Sequence, residues 1–292
     1  MITRLLVGLA FVSLTFLAHA QEDKDSTWLV GGTSQINFSQ ATFINWSAGG
    51  ENNIAATGQL DLFLINNGDN HVWRNDLRLA YGRIKTGDQL RKSDDIIQFI
   101  SAYKRAISEK FNYNATLDFR TQFDRGFKYP NDSVVISHFM APAFAVVSTG
   151  LEYHWKDYIS FYLSPLAGKL TYVREVDGIQ PENFGVEPGQ NLRAELGATF
   201  RMSVNKEIME NVTVISDLEL FSNYLNEPQN VDINWLFKLN MKVNKFIAAS
   251  LTTQLLYDHD ILIPKTNDAG EEYLGRGTQF REVLNIGLTF SF

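Results

Sequence analysis

From Phe280 to the end of the chain, apolar and polar positions alternate. Phe280, Glu282, Leu284, Ile286, Leu288, Phe290 and Phe292 share one parity, while Arg281, Val283, Asn285, Gly287, Thr289 and Ser291 share the other. A two-residue period belongs to a β-strand with one greasy face and one small or polar face. The same alternation runs through 231–244, where Phe237 and Leu239 flank Lys238, and through 192–204 and 112–124. These segments outrun the usual strand of about 5–6 residues and reach the ~9–11 that a tilted strand needs to cross a bilayer.

Extending this reading predicts strands at 28–38, 53–65, 71–84, 94–107, 111–124, 143–154, 157–173, 190–204, 210–224, 231–244, 247–260 and 279–292. Twelve is an even number, as a single-chain bacterial barrel with both ends on one side requires. Every second link is short, at 66–70, 108–110, 155–156, 205–209 and 245–246. The alternate links at 39–52, 125–142, 174–189 and 261–278 are longer, with 225–229 the exception. Short turns at one end and long loops at the other fit an all-β, transmembrane, antiparallel up-and-down barrel of about twelve strands. Closure has a physical reason, since an open sheet edge in hydrocarbon leaves unpaired N–H and C=O groups.

The two ends of the chain sharpen this. Arg4, the apolar run 5–18 and Ala18-His19-Ala20 have the order of a secretory signal, so residues 1–20 are expected to be cleaved. Residues 21–292 then form a single barrel domain. Leu288, Phe290 and the bare terminal Phe292 resemble the terminal signal of bacterial outer-membrane barrels, which the barrel-insertion machinery reads. The expected location is therefore the bacterial outer membrane, with outer-membrane lipid as the surrounding partner.

Composition removes several alternatives. The chain has no cysteine, which excludes disulfides, thiolate metal sites and a lipidated amino-terminal cysteine. Beyond the signal no apolar stretch of ~18 residues occurs, so a helical inner-membrane protein is excluded. The net charge of -7 argues against a nucleic-acid partner.

Inward parity carries both signs of charge: Arg74, Asp76 and Arg78; Asp118 and Arg120; Arg193, Glu195 and Arg201; Asp217 and Glu219; Asp232, Lys238 and Lys242. Such a lumen can be a narrow channel or a polar core closed by its own salt bridges. No single sign dominates, as a strongly selective pore would require.

Between the first two predicted strands runs Phe38-Ser39-Gln40-Ala41-Thr42-Phe43-Ile44-Asn45-Trp46-Ser47-Ala48-Gly49-Gly50-Glu51-Asn52-Asn53. With Trp73-Arg74-Asn75-Asp76-Leu77, Tyr81-Gly82 and Arg91-Lys92-Ser93-Asp94-Asp95, this phrase resembles a Bacteroidota family catalogued as domain of unknown function 3078. The resemblance implies an outer-membrane barrel and transfers no activity or functional residue. Physically, Phe43, Asn45, Trp46 and Asn52 could fold inward as a mouth plug, or stand outward as a sugar- or peptide-binding platform. Arg91 to Asp95 reads as a solvated or interfacial charge run.

Enzyme chemistry has little to rest on. The histidines beyond the signal, His71, His138, His154 and His259, are scattered, and no G-x-S-x-G or H-E-x-x-H occurs. Asp94-Asp95 and Asp258-His259-Asp260 could hold a cation but read more simply as solvated turns, and no cofactor motif is present. Three functions stay open: a channel for small polar solutes, a structural or envelope-protein-binding subunit, and a lipid hydrolase.

Overall fold

A computed structural model describes residues 27–41, 53–129, 131–267 and 271–292. Among these, sixteen strands follow in chain order: β1 (Trp28–Ala41), β2 (Asn53–Asn67), β3 (His71–Thr86), β4 (Gln89–Ala106), β5 (Phe111–Thr121), β6 (Gly126–Phe127), β7 (Val135–Ser137), β8 (Ala143–Lys156), β9 (Ile159–Tyr172), β10 (Leu192–Met209), β11 (Val212–Asn223), β12 (Val231–Lys242), β13 (Ile247–Tyr257), β14 (Ile263–Thr266), β15 (Glu272–Gly275) and β16 (Gln279–Ser291). Twelve close into a barrel in the order β1-β16-β13-β12-β11-β10-β9-β8-β5-β4-β3-β2, while β6–β7 and β14–β15 are separate two-stranded hairpins. Every neighbouring pair in the wall is antiparallel.

The burial pattern is inverted relative to a soluble protein. On β16, Leu284 and Ile286 are 64% and 59% exposed, whereas Ser148, Glu195 and Thr199 inside the wall are 3%, 4% and 1% exposed. Apolar side chains therefore belt the outside of a closed sheet, and polar ones fill the inside, as a hydrocarbon surround demands. The shortest barrel strands, β5 and β13, have 11 residues each, enough to cross a bilayer at a tilt. No helix among the described residues is long and apolar enough to cross a membrane.

The link expected at 85–93 is instead a tight hairpin. β3 runs to Thr86 and β4 starts at Gln89, leaving Gly87, at φ 56°, and Asp88 as the turn. A two-residue hairpin turn needs positive φ, which glycine supplies without strain. Arg91 to Asp95 consequently lies in a strand, and Ser93 is the extra residue of a bulge opposite Gly82 and Arg83.

A second irregularity lets proline sit inside β9. The ladder to β10 shifts between Gly197 and Thr199, and the ladder to β8 between Thr149 and Leu151, so Pro165 has no register partner on either side. The Ser164 hydroxyl, fully buried, fills the gap: it lies 2.8 Å from the carbonyl oxygens of Thr149 and Leu166 and accepts from Thr149 N–H at 3.2 Å. Glycine is required on both flanks. A Cβ at Gly150 would lie 2.0 Å from Leu163 O, and one at Gly197 would lie 2.0 Å from Ser222 O.

The barrel has a terminal end, holding Trp28, Phe292 and the turns at 68–70, 107–110, 157–158, 210–211 and 243–246, and a loop end that also carries the tight 87–88 hairpin. At the loop end, 122–142 and 173–191 share a small apolar core of Ala141, Val173, Ile179 and Val186, with Val135, Val176 and Phe184 against it. Thus part of the loop end is packed rather than solvated.

Candidate functional site

Registers between neighbouring strands carry one inward face around the wall. Asp61 opposes Arg78, Arg78 opposes Gln98, and Gln98 opposes Arg120; across the barrel Arg201 opposes Glu219. These side chains do not fill the interior. A cavity of about 370 Å³ is lined by Asp76, Arg78, Asp118, Arg120, Arg201, Asp217 and Glu219, together with groups such as Asp61, Gln98, Asn234 and Gln254. Toward the loop end a chamber of about 220 Å³ is lined by Asp118, Arg120, Glu219 and Asp232, with apolar Phe144, Val146, Phe221, Leu256 and Ile261. Lys238 and Arg78 line a third space of about 60 Å³.

The cavities meet at shared residues. Asp118, Arg120, Glu219 and Asn234 border both larger spaces. Three of these four are engaged: Gln98 donates to Asp118 at 3.1 Å, Arg201 Nε donates to Glu219 at 2.9 Å, and Gln254 donates to Asn234 at 3.1 Å. The Arg120 side chain has no hydrogen bond or ion pair among the described residues.

At the loop end the walls are tied across the lumen. Lys169 of β9 meets Asp232 of β12 and Asp258, just beyond β13, each at 2.8 Å, and Glu195 lies at 3.8 Å. Arg193 pairs with Glu195 at 2.8 Å and with Asp260. Two cations thus hold four carboxylates in a half-buried network. Asp258 and Asp260 serve as its acidic ends, and among the described residues no group of three or more His, Asp or Glu side chains could hold a metal ion. Burial works against the Asp258 carboxylate, but the Lys169 ammonium outweighs it and holds Asp258 below its ordinary value of 3.8.

Elsewhere Arg281 of β16 reaches Asp94 of β4 at 3.1 Å. Asp95 is a bracket for the end of β5: its carboxylate accepts from Phe123 N–H at 2.7 Å and Asp124 N–H at 3.0 Å and pairs with Lys92 at 2.8 Å. Toward the terminal end, Arg74 forks onto Asp76 at 2.6 and 2.7 Å, and Lys104 pairs with Glu152 at 2.7 Å. Lys242 closes β12 at that end, exposed and lining none of these spaces. His138 lies 2.9 Å from Arg174, His154 lies 2.9 Å from Asn112, and neither has a serine hydroxyl as hydrogen-bond partner.

The sequence reading does not single out Asp61, Lys169 or Arg281 as lumen residues, and it takes Asp258 and Asp260 for a solvated turn, whereas they are the partners of Lys169 and Arg193. For Lys169 the reason is the bulge at Pro165. Inward parity is even at Tyr162 and Ser164 but odd at Ala167, Lys169 and Thr171, so a single alternation cannot be drawn through β9. Leu288 and Phe290 lie exposed on the outer wall, and Phe292 exchanges backbone hydrogen bonds with Gly32 at 2.8 and 3.0 Å. Phe43, Asn45, Trp46 and Asn52 lie outside the described residues, as does the signal expected at 1–20.

No curated protein matches the chain. Among solved structures, it is similar to the translocator domain of autotransporter NalP from Neisseria meningitidis, at 7% identity and a TM-score of 0.35, covering 99% of this chain and 97% of that one. It is also similar to the COG4313 outer membrane channel from Pseudomonas putida F1, at 10% identity and a TM-score of 0.43, covering 90% and 94%. The Pseudomonas putida toluene transporter TodX is similar at 8% identity and a TM-score of 0.33, covering 90% and 88%. Residues 38–127, from the end of β1 through β6, match the family model described as "Protein of unknown function (DUF3078)", the family that the Phe38–Asn53 phrase resembles.

Proposed function

We propose that this protein is an outer-membrane barrel that passes small polar solutes through a narrow lumen. The observation that carries the reading is the chain of internal spaces, about 220 and 370 Å³, that share Asp118, Arg120, Glu219 and Asn234 as a common border. A core closed by its own side chains would leave no such volume, because well-packed interiors hold few voids larger than a water. The outer apolar belt supports lipid as the surround. In this reading Leu288, Phe290 and Phe292 present the insertion signal, and the loop bearing Phe43, Asn45, Trp46 and Asn52 narrows the external mouth.

A second reading is favoured by one observation, the Lys169 and Arg193 ties across the loop end. Those ties suit a sealed barrel that offers its loops to an envelope protein. Swelling of proteoliposomes in sugars of increasing size separates the two. The channel reading predicts swelling that falls with solute size; folded protein that admits none of the sugars would overturn it in favour of the partner-binding subunit.

A further inference from the structure

The smallest of the internal spaces has an unusual balance of groups. Arg78 of β3 and Lys238 of β12 stand five strands apart around the wall, yet both line the same space of about 60 Å³. Arg281 lines it too, and Asp94 is the sole acid on its wall. Asp94 is already paired with Arg281 at 3.1 Å. Two further cations therefore border the space: Arg78 has the Asp61 carboxylate at 3.6 Å as its ion-pair partner, outside this space, and the Lys238 side chain has no carboxylate partner among the described residues.

Their donors are also unspent. Arg78 Nε is buried without a hydrogen-bond partner, and its nearest carboxylate oxygen, on Asp61, is 3.6 Å away. That is beyond hydrogen-bond distance. The Lys238 side chain has no hydrogen bond or ion pair among the described residues, and neither do the side chains of Ser250, Thr252 and Asn285, which also line the space. A buried donor left unmade costs about 1–3 kcal/mol, more when charged, so orphaned cationic donors beside a void mark a missing acceptor. The volume is that of about two waters, room for one small oxyanion.

We propose that Arg78 and Lys238 form an oxyanion-binding site in the middle of the lumen, taking a phosphate, sulfate or solute carboxylate group. Arg78 donates through Nε and Lys238 through its ammonium, charge-assisted contacts of the strong kind. The Ser250 and Thr252 hydroxyls and the Asn285 amide complete the shell. The site exists whether or not solutes pass through the barrel; only its use as a filter rests on the channel reading.

Binding is measured on the full barrel in detergent micelles, with inorganic phosphate as the probe and phosphorus NMR line broadening as the readout. Saturable broadening is expected. Lys238→Gln and Arg78→Gln should each weaken it at least tenfold, Lys238→Arg should retain it, and Arg74→Gln, which alters a lumen cation outside the space, should leave it unchanged. Heat-modifiable migration on gels checks that each variant is folded. Competition by sulfate but not acetate would restrict the site to tetrahedral oxyanions; competition by both would extend it to carboxylates. Absence of saturation in the native protein, or equal loss in Arg74→Gln, would overturn the proposal. Since the measurement needs no passage through the lumen, its failure and that of the channel reading are separable.

Discussion

The Lys169 ammonium meets the Asp258 carboxylate at 2.8 Å, although one stands on β9 and the other lies just beyond β13 on the far side of β10, β11 and β12. The contact pins the start of the β13–β16 connection to the inner wall. Asp258 titrates below its ordinary 3.8 in the folded barrel. A depressed carboxylate stabilises above its unfolded value and loses that contribution as pH falls through the folded one. The connection should therefore stay fixed at neutral pH and loosen only below about pH 4.

Asp258→Asn removes the charge while Lys169 keeps Asp232. The cost should be about 1.5–3 kcal/mol, the range for a hydrogen bond to a charged group. Hydrogen exchange at pH 6 is the check. Faster exchange over 258–262 in the variant, with β9 and β12 unchanged, is expected; an unaltered profile would show that the pair carries no load.

The two faces of the wall give a second prediction. Phe237 and Leu239 alternate with Lys238, whose neighbours in the register are Ile215 and Thr252. Arg at a lipid-facing midplane position costs about 2–4 kcal/mol, while a lumen position tolerates polarity. Phe237→Arg should thus lower the urea midpoint for unfolding from lipid vesicles far more than Lys238→Gln. The reverse order would mean that the faces are misassigned.

The seam that closes the barrel is its shortest ladder. β1 and β16 share five register pairs, from Thr33–Ser291 to Asn37–Gly287, against fourteen between β1 and β2. Phe292 extends the seam by its two backbone hydrogen bonds to Gly32. Amides of the seam should exchange faster than those between β3 and β4. Deleting Phe292 should also reduce heat-modifiable barrel in cell envelopes. If the deleted chain still refolds in detergent, the loss lies in recognition by the insertion machinery; if it refolds poorly there too, the seam itself is at fault.

Most of the wall is legible in the residues alone, because a sheet between lipid and a polar lumen must alternate at every position. All twelve expected strands have a counterpart, and β16 shows the alternation plainly in its burial. Legibility fails where alternation breaks. Arg91 to Asp95 reads as a solvated charge run because the bulge at Ser93 breaks the alternation: it puts Lys92 and Asp95 on one face, where they pair, and Asp94 on the lumen face, where it meets Arg281. Lys169 was hidden by the parity change at Pro165. The ties to Asp258 and Asp260 depend on which walls face one another, which no local pattern encodes.

Conductance through single barrels in planar lipid bilayers tests the central claim most directly, comparing the intact protein with a variant lacking 42–51. If the lumen is a channel narrowed by that loop, the intact protein should give small, discrete steps in potassium chloride, and the shortened one clearly larger steps, because an apolar constriction has been removed. Folded barrels of both kinds that leave the membrane current at baseline would contradict a solute-conducting lumen.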